Sequence, residues 1–296
     1  MTNTKKLFEN FRKFIKEGTV DDKEDAATRF VRAADADLYD YTDLLKKIAK
    51  DPDFQKIARA GQTDGNESDE IVTVDEGGTV PISKLYATQS EIGALKSLED
   101  QMINRYDATR TALGLNGTPV VMKDKTGPVN LFVWNGTYVL DGHHRWSQVM
   151  MTNPQAEVKV DSMSGPALKT AEDALKMSQL AIAIVAQNVV TEPLTGANLM
   201  EMTTQEVEDY VSANISDEVL GLLVEAKKIT EPSKELAAQY YGQNHKIIQK
   251  RRGEFERERG MPQAGSSAGK GGQSKVNKAL GTGAVNYTNP QKSDVK

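Results

Sequence analysis

Residues Val129–Trp146 read VNLFVWNGTYVLDGHHRW. VNLFVW and TYVL are short apolar runs rich in β-branched and aromatic residues, and Asn135-Gly136 separates them. Asn-Gly supplies the two positive φ angles of a type I′ turn, whose twist matches a tight hairpin. The second run breaks at Asp141-Gly142, where glycine lets the backbone leave the strand in a conformation closed to bulky residues. His143 to Met151 can then open a helix, with Trp146, Val149 and Met150 burying its other face. Free N–H groups and the positive dipole end at such a start face an anion. Arg145 adds a planar fork suited to phosphate oxygens. His143 and His144, two of the three histidines in the chain, can donate to those oxygens or shuttle a proton near neutral pH. The plainer alternative is a polar strand-to-helix turn in which Asp141 caps the helix.

Around this stretch the pattern is mixed. Upstream, Lys5–Lys16 is amphipathic, Leu38–Ile48 and Phe54–Ala60 read as helices, and Gly61–Ser68 is a loop by composition. Glu70–Val74 alternates as a strand, Asp75–Gly78 reads as a turn, and Val80–Ile82 as a further short strand. Ser90–Arg105 has helical spacing with Ser90 as N-cap. Thr118–Met122 and Glu157–Val160 are short strands. After Gly165-Pro166 the chain is helical to about residue 250. One helix spans Ala167–Asn188, and a second begins near Thr203, where Glu206 completes a capping box. Others cover Ser216–Lys228 and a stretch starting beside Pro232. Residues from Gly260 onward are Gly/Ser-rich and are expected to be disordered unless a partner holds them. The expected class is α+β: a helical extension (1–68), a central α+β domain (69–165), a helical region (166–259) and a flexible basic tail (260–296).

Bulk composition narrows the function. The 296 residues are 38% hydrophobic and 27% charged. Neither a run long enough to span a membrane nor a signal-peptide core is present, so a cytoplasmic protein, or one packaged from cytoplasm, is expected. With no cysteine, disulfides, zinc-thiolate sites, iron–sulfur clusters and thiol nucleophiles are excluded. Residues 241–296 carry 11 Lys/Arg against 4 Asp/Glu, leaving an acidic body under the overall net charge of −5. A basic tail of this kind suits an anionic partner such as DNA, or it is a solvated extension. The run Ser178–Val190 (SQLAIAIVAQNVV) suits a buried or self-associating helix.

Other chemistries fit the histidine pair less well. Adjacent histidines rarely share one ion, and His245 is far away in sequence, so no zinc site is expected. There is no G-x-S-x-G elbow, no P-loop and no G-x-G-x-x-G after a strand. Magnesium held by Asp141 together with nucleotide phosphates stays open.

VPISKLYATQSEIGALKSLEDQM, followed by PVVMKDKTGPVNLFVWNGTYVLDGHHRW, resembles the ParB/sulfiredoxin-fold superfamily. Its members share a V-P-I-x-x-L strand, a T-Q-x-x-(I/V) segment leading into a helix, and a G-x-H-R-type turn after a hairpin. The likeness covers about Ile71–Val160, and the D-G-H-H-R form is similar to that of free-serine kinases. The amphipathic start and the Gly-rich tail look like features of ParB-like bacteriophage proteins. The resemblance implies that Gly142, His143, His144 and Arg145 hold the phosphates of ATP or ADP, or of CTP, with Asp141 completing the cofactor-binding set as a helix cap or magnesium holder. It also implies that Glu91, with a histidine, serves catalysis. Sulfiredoxins carry a cysteine where this chain has His143, so their reductase chemistry is excluded. Three function classes remain open: nucleotide binding with phosphoryl transfer or hydrolysis, DNA cleavage, and a non-enzymatic role on DNA or in a virion.

Overall fold

The computed structural model describes residues 36–59, 72–102, 105–124, 127–165 and 168–285. The amphipathic segment Lys5–Lys16, the loop Gly61–Ser68 and the last residues of the basic tail lie outside these. The fold is α+β, with twelve α-helices and seven strands among the described residues. None of those helices is long and apolar enough to cross a membrane.

The central hairpin forms as its sequence dictates. β5 (Leu131–Trp134) and β6 (Tyr138–Asp141) pair antiparallel. Asn135 and Gly136 take φ of 49° and 63°, and the Thr137 N–H donates to the Trp134 carbonyl at 2.9 Å. The register shifts between Phe132 and Val133, a bulge that bends the strand just before it reaches Gly142. β1 (Thr73–Pro81), β2 (Tyr86–Ala87) and β7 (Glu157–Ser164) complete a mixed sheet of order β1-β7-β5-β6-β2. β7 lies parallel to β5 and β2 parallel to β6. β3 (Met122–Asp124) and β4 (Gly127–Val129) form a separate small ladder.

All four β5 side chains are buried, because both faces of the sheet are covered. Leu131, Val133, Val139, Val158 and Val160 face one core. That core is closed by α3 (Ala94–Met102), α4 (Tyr106–Ala112), α5 (His143–Thr152), α7 (Thr204–Asn214), α8 (Asp217–Glu225) and α9 (Lys234–Gln249). Phe132, Trp134, Leu140 and Met163 face the second core. It is closed by α1 (Leu38–Ile48), α2 (Pro52–Ala58), α6 (Ala171–Ala186), α11 (Ala264–Ala268) and α12 (Gly272–Gly281). Each fully buried large aliphatic or aromatic side chain contributes about 1.5–3 kcal/mol. Segments outside residues 69–165 thus supply the whole of the second helical layer and, with α7, α8 and α9, part of the first. The apolar run of α6, Leu180 to Ile184, is buried within this chain.

Three expectations are corrected. Asp75–Gly78 is no turn: β1 runs straight through it with a bulge between Asp75 and Gly78. Ser90 caps no helix: α3 starts at Ala94, and the Ser90 N–H and hydroxyl both bind the Phe255 carbonyl. The described part of the tail, residues 260–285, is folded, with Met261, Val276 and Leu280 at most 3% exposed. The partner that holds it is the chain itself, since α12 packs on α6 and β1.

Candidate functional site

The DGHHR turn lies where the bulged β6 meets α5. Gly142 is the N-cap, at φ 94° and ψ 24°, and no side chain caps the helix. A Cβ there would stand 2.9 Å from Leu131 Cδ2 and 2.7 Å from Arg145 Nη2, so only glycine fits. The first intrahelical bond runs from the Trp146 N–H to the Gly142 carbonyl. The N–H groups of His143, His144 and Arg145 therefore have no acceptor within the helix, and they mark its positive end. Asp141 does not cap α5: its Oδ2 accepts from Arg145 Nη2 at 3.0 Å. It also borders a small open cleft together with Leu140, Gln179, Gly260 and Met261.

The three side chains that follow Gly142 fan out, as residues 100° apart on a helix must. His143 turns inward and is 4% exposed. Its Nε2 accepts from the N–H groups of Thr88 at 3.2 Å and Gln89 at 3.3 Å. The proton of the neutral ring is thereby assigned to Nδ1. Burial, then the charges of His144, Arg257 and Arg145, push its pKa down to about 3. His143 is a buried clasp between α5 and the segment after β2. His144 turns toward the 88–93 loop, and its Nε2 would lie 3.3 Å from a Cβ on Gly93. That nitrogen is buried without a hydrogen-bond partner. Burial, then Arg257, Lys96 and Arg145, push its pKa down to about 3, so the ring is neutral at physiological pH. Arg145 turns the other way, beside Leu131, Val149 and Val158. Its Nε is also buried without a partner.

The far wall comes from the C-terminal region. Residues 251–257 run as a strap along residues 87–91. The Ala87 N–H donates to the Arg251 carbonyl, Gly253 N–H to Gln89, Phe255 N–H to Thr88, and Ser90 N–H to Phe255. The approach is so close that a Cβ on Gly253 would fall 2.1 Å from the Thr88 carbonyl. The strap ends at α10 (Arg257–Gly260), whose first N–H donates to Glu91 Oε2 at 3.0 Å. The opposite wall is tied as firmly: Asn198 accepts the Ile92 N–H and donates to the Ser90 carbonyl.

The structure therefore brings Glu91, His143 and His144 into one neighbourhood, and sets Asp141 and Arg145 on the other side of Gly142. Three contributors escaped the sequence reading: Arg257, Glu192 and Lys96. Arg257 lay in a stretch that reads as a plain basic segment. The described arginines of that stretch are each engaged: Arg251 over the Tyr86 ring, Arg252 with Glu201, Arg257 with Glu192, and Arg259 over the Tyr39 ring. His245 sits apart, its Nε2 on the Leu199 carbonyl. Among the described residues, no three His, Asp or Glu side chains are grouped to hold a metal ion.

Chemically, an uncapped helix start beside the unpaired buried Arg145 Nε suits an anion with several oxygens. Comparison with protein-family models, with curated proteins and with solved structures finds no match.

Proposed function

We propose that this chain is a ParB/sulfiredoxin-like nucleotide-binding protein, with the phosphates of ATP, ADP or CTP at the start of α5. One observation carries the reading. The glycine-started, uncapped N-terminus of α5 coincides with two buried side-chain nitrogens that lack partners, the Arg145 Nε donor and His144 Nε2, which donates in its Nε2–H tautomer. A buried donor left unpaired costs about 1–3 kcal/mol, and phosphate oxygens supply the missing acceptors. The hairpin, glycine turn and helix follow in the order that the resemblance implies. In this reading the backbone N–H groups of His143 to Arg145 cradle the phosphates, and Arg145 turns from Asp141 to neutralise them. Asp141 is the carboxylate placed to share a magnesium ion with them. His143 serves by fixing the turn, because its Nε2 is already occupied.

The geometry favours binding ahead of transfer. Glu91, the base that the resemblance implies, already accepts the Arg257 N–H through Oε2. The intramolecular contacts of Arg251, Arg252 and Arg259 favour a nucleotide over DNA held by this basic segment. Calorimetric titration of the full chain with ATP, ADP and CTP tests the reading. At least one should bind, and Arg145→Ala should weaken it about 10-fold or more, the value of a charged hydrogen bond. Failure of the wild-type protein to bind any of the three refutes it. Phosphate release that is lost in Glu91→Gln would extend the activity to hydrolysis.

A further inference from the structure

Among the buried ionisable groups, Arg257 stands out for how little holds it. It is 6% exposed, yet among the described residues its Nε has no partner, and its one ion pair there is the 3.5 Å contact of Nη2 with Glu192. Charge-assisted N–H···O bonds are usually about 2.7–2.9 Å long. A guanidinium carries five donors in a fixed fork, and taking it out of water with one long contact leaves most of its desolvation uncompensated.

Its position is well determined all the same. The backbone pairing of the strap with residues 87–90, and the bond from the Arg257 N–H to Glu91, fix its Cα beside the 88–93 loop. That loop also carries Gly93, which borders the orphan Nε2 of His144. We propose that Arg257 is a second arginine of the anion site, delivered by the C-terminal strap and held in reserve by Glu192. The proposal rests on the nucleotide reading above and names a ligand that lies outside the DGHHR turn.

Glu192 suits the role of a displaceable partner. Its side chain is 43% exposed, and its other oxygen already accepts from the Ser266 hydroxyl. A carboxylate this open to water is readily rehydrated once the arginine leaves it. A phosphate chain with several charged oxygens can outcompete a lone carboxylate of this kind. Only the side chain has to swing, because the backbone is already in place, and such preorganisation lowers the cost of binding. After burial, the charge of Arg257 is among the causes that lower both imidazoles of the turn. A merely structural Arg257 would pin the strap to Glu192 and gain nothing when that carboxylate is neutralised.

The two roles separate in one experiment. The full chain and its Arg257→Gln, Arg257→Lys and Glu192→Gln variants are titrated calorimetrically with ATP and with inorganic triphosphate. Thermal melts without ligand check folding. Arg257→Gln should bind both probes about 10–100-fold more weakly, and Arg257→Lys should recover part of the loss. Glu192→Gln should bind about 2–5-fold more tightly, because the competing carboxylate is gone. If the wild-type chain binds and Arg257→Gln and Glu192→Gln bind equally well, Arg257 is only a strap anchor and the proposal is overturned, while the nucleotide reading stands. If Arg257→Gln does not fold, Glu192→Gln decides alone: unchanged or weaker binding overturns the proposal. If the wild-type chain binds neither probe, the proposal is overturned, and the nucleotide reading falls with it only if ADP and CTP also fail to bind.

Discussion

The buried clasp at His143 makes the protein sensitive to mild acid, by an amount that the structure sets. In the unfolded chain the imidazole titrates near 6.5, and in the fold burial pushes it down to about 3. Between these values the unfolded chain holds a proton that the folded chain does not. Stability therefore rises with pH across this window and is lost as pH falls below 6.5. Integrating that linkage from pH 7 to pH 5 gives a loss of about 2 kcal/mol from His143 alone. His144 adds in the same direction. In His143→Gln, an amide oxygen can still accept from Thr88 and Gln89, but no proton is taken up. Urea unfolding of both proteins at pH 7 and pH 5 isolates the contribution, since all other groups are shared. The wild-type protein should lose about 2 kcal/mol more than the variant between the two pH values. Equal losses would show that His143 is protonated in the fold and would refute the assignment of its Nε2 as acceptor.

Three further outcomes test the frame around the site. Gly142→Ala should destabilise by at least about 1–2 kcal/mol, because its φ is 94° and its Cβ would meet Leu131. An unchanged melting temperature would contradict the glycine requirement. Gly253→Ala should lift the strap off Thr88, read as faster hydrogen exchange at the Ala87, Ser90 and Phe255 amides. Wild-type exchange rates there would rule out the close approach. Leu280→Ala, at a residue 1% exposed, should cost about 2–5 kcal/mol. A loss below about 0.5 kcal/mol, the range of surface substitutions, would mean that α12 does not pack as described.

What could be read from the sequence was written locally. The Asn135-Gly136 turn holds its own φ angles, and the Thr203–Glu206 capping box fixes the start of α7 within four residues. The bulge in β1 defeated the reading because Asp75–Gly78 has the composition of a turn, whereas pairing with β7 carries the strand through it. The ordered tail was hidden for a related reason. Its few bulky residues suffice because α6 and the sheet present a ready surface, and composition alone does not register a partner. At the site, the glycine and the helix start were legible. The inward turn of His143 was not, since neighbouring histidines offer no local sign of which ring enters the core. Arg257 was further out of reach: it meets Glu91 across 166 positions of chain, and no short pattern reports such a meeting.

The two-faced sheet has a consequence for how the protein is made. Phe132, Trp134, Leu140 and Met163 leave the ribosome well before α11 and α12, which help to cover them. Synthesis proceeds at about 5–20 residues per second, so the hundred-odd residues between Met163 and Leu280 correspond to several seconds. Throughout that interval the second face of the nascent sheet stays incompletely covered, and the first is closed only once α9 has been made. The last helices therefore act as the closing step of folding, and a chain released before residue 280 displays adhesive surface that the finished molecule conceals.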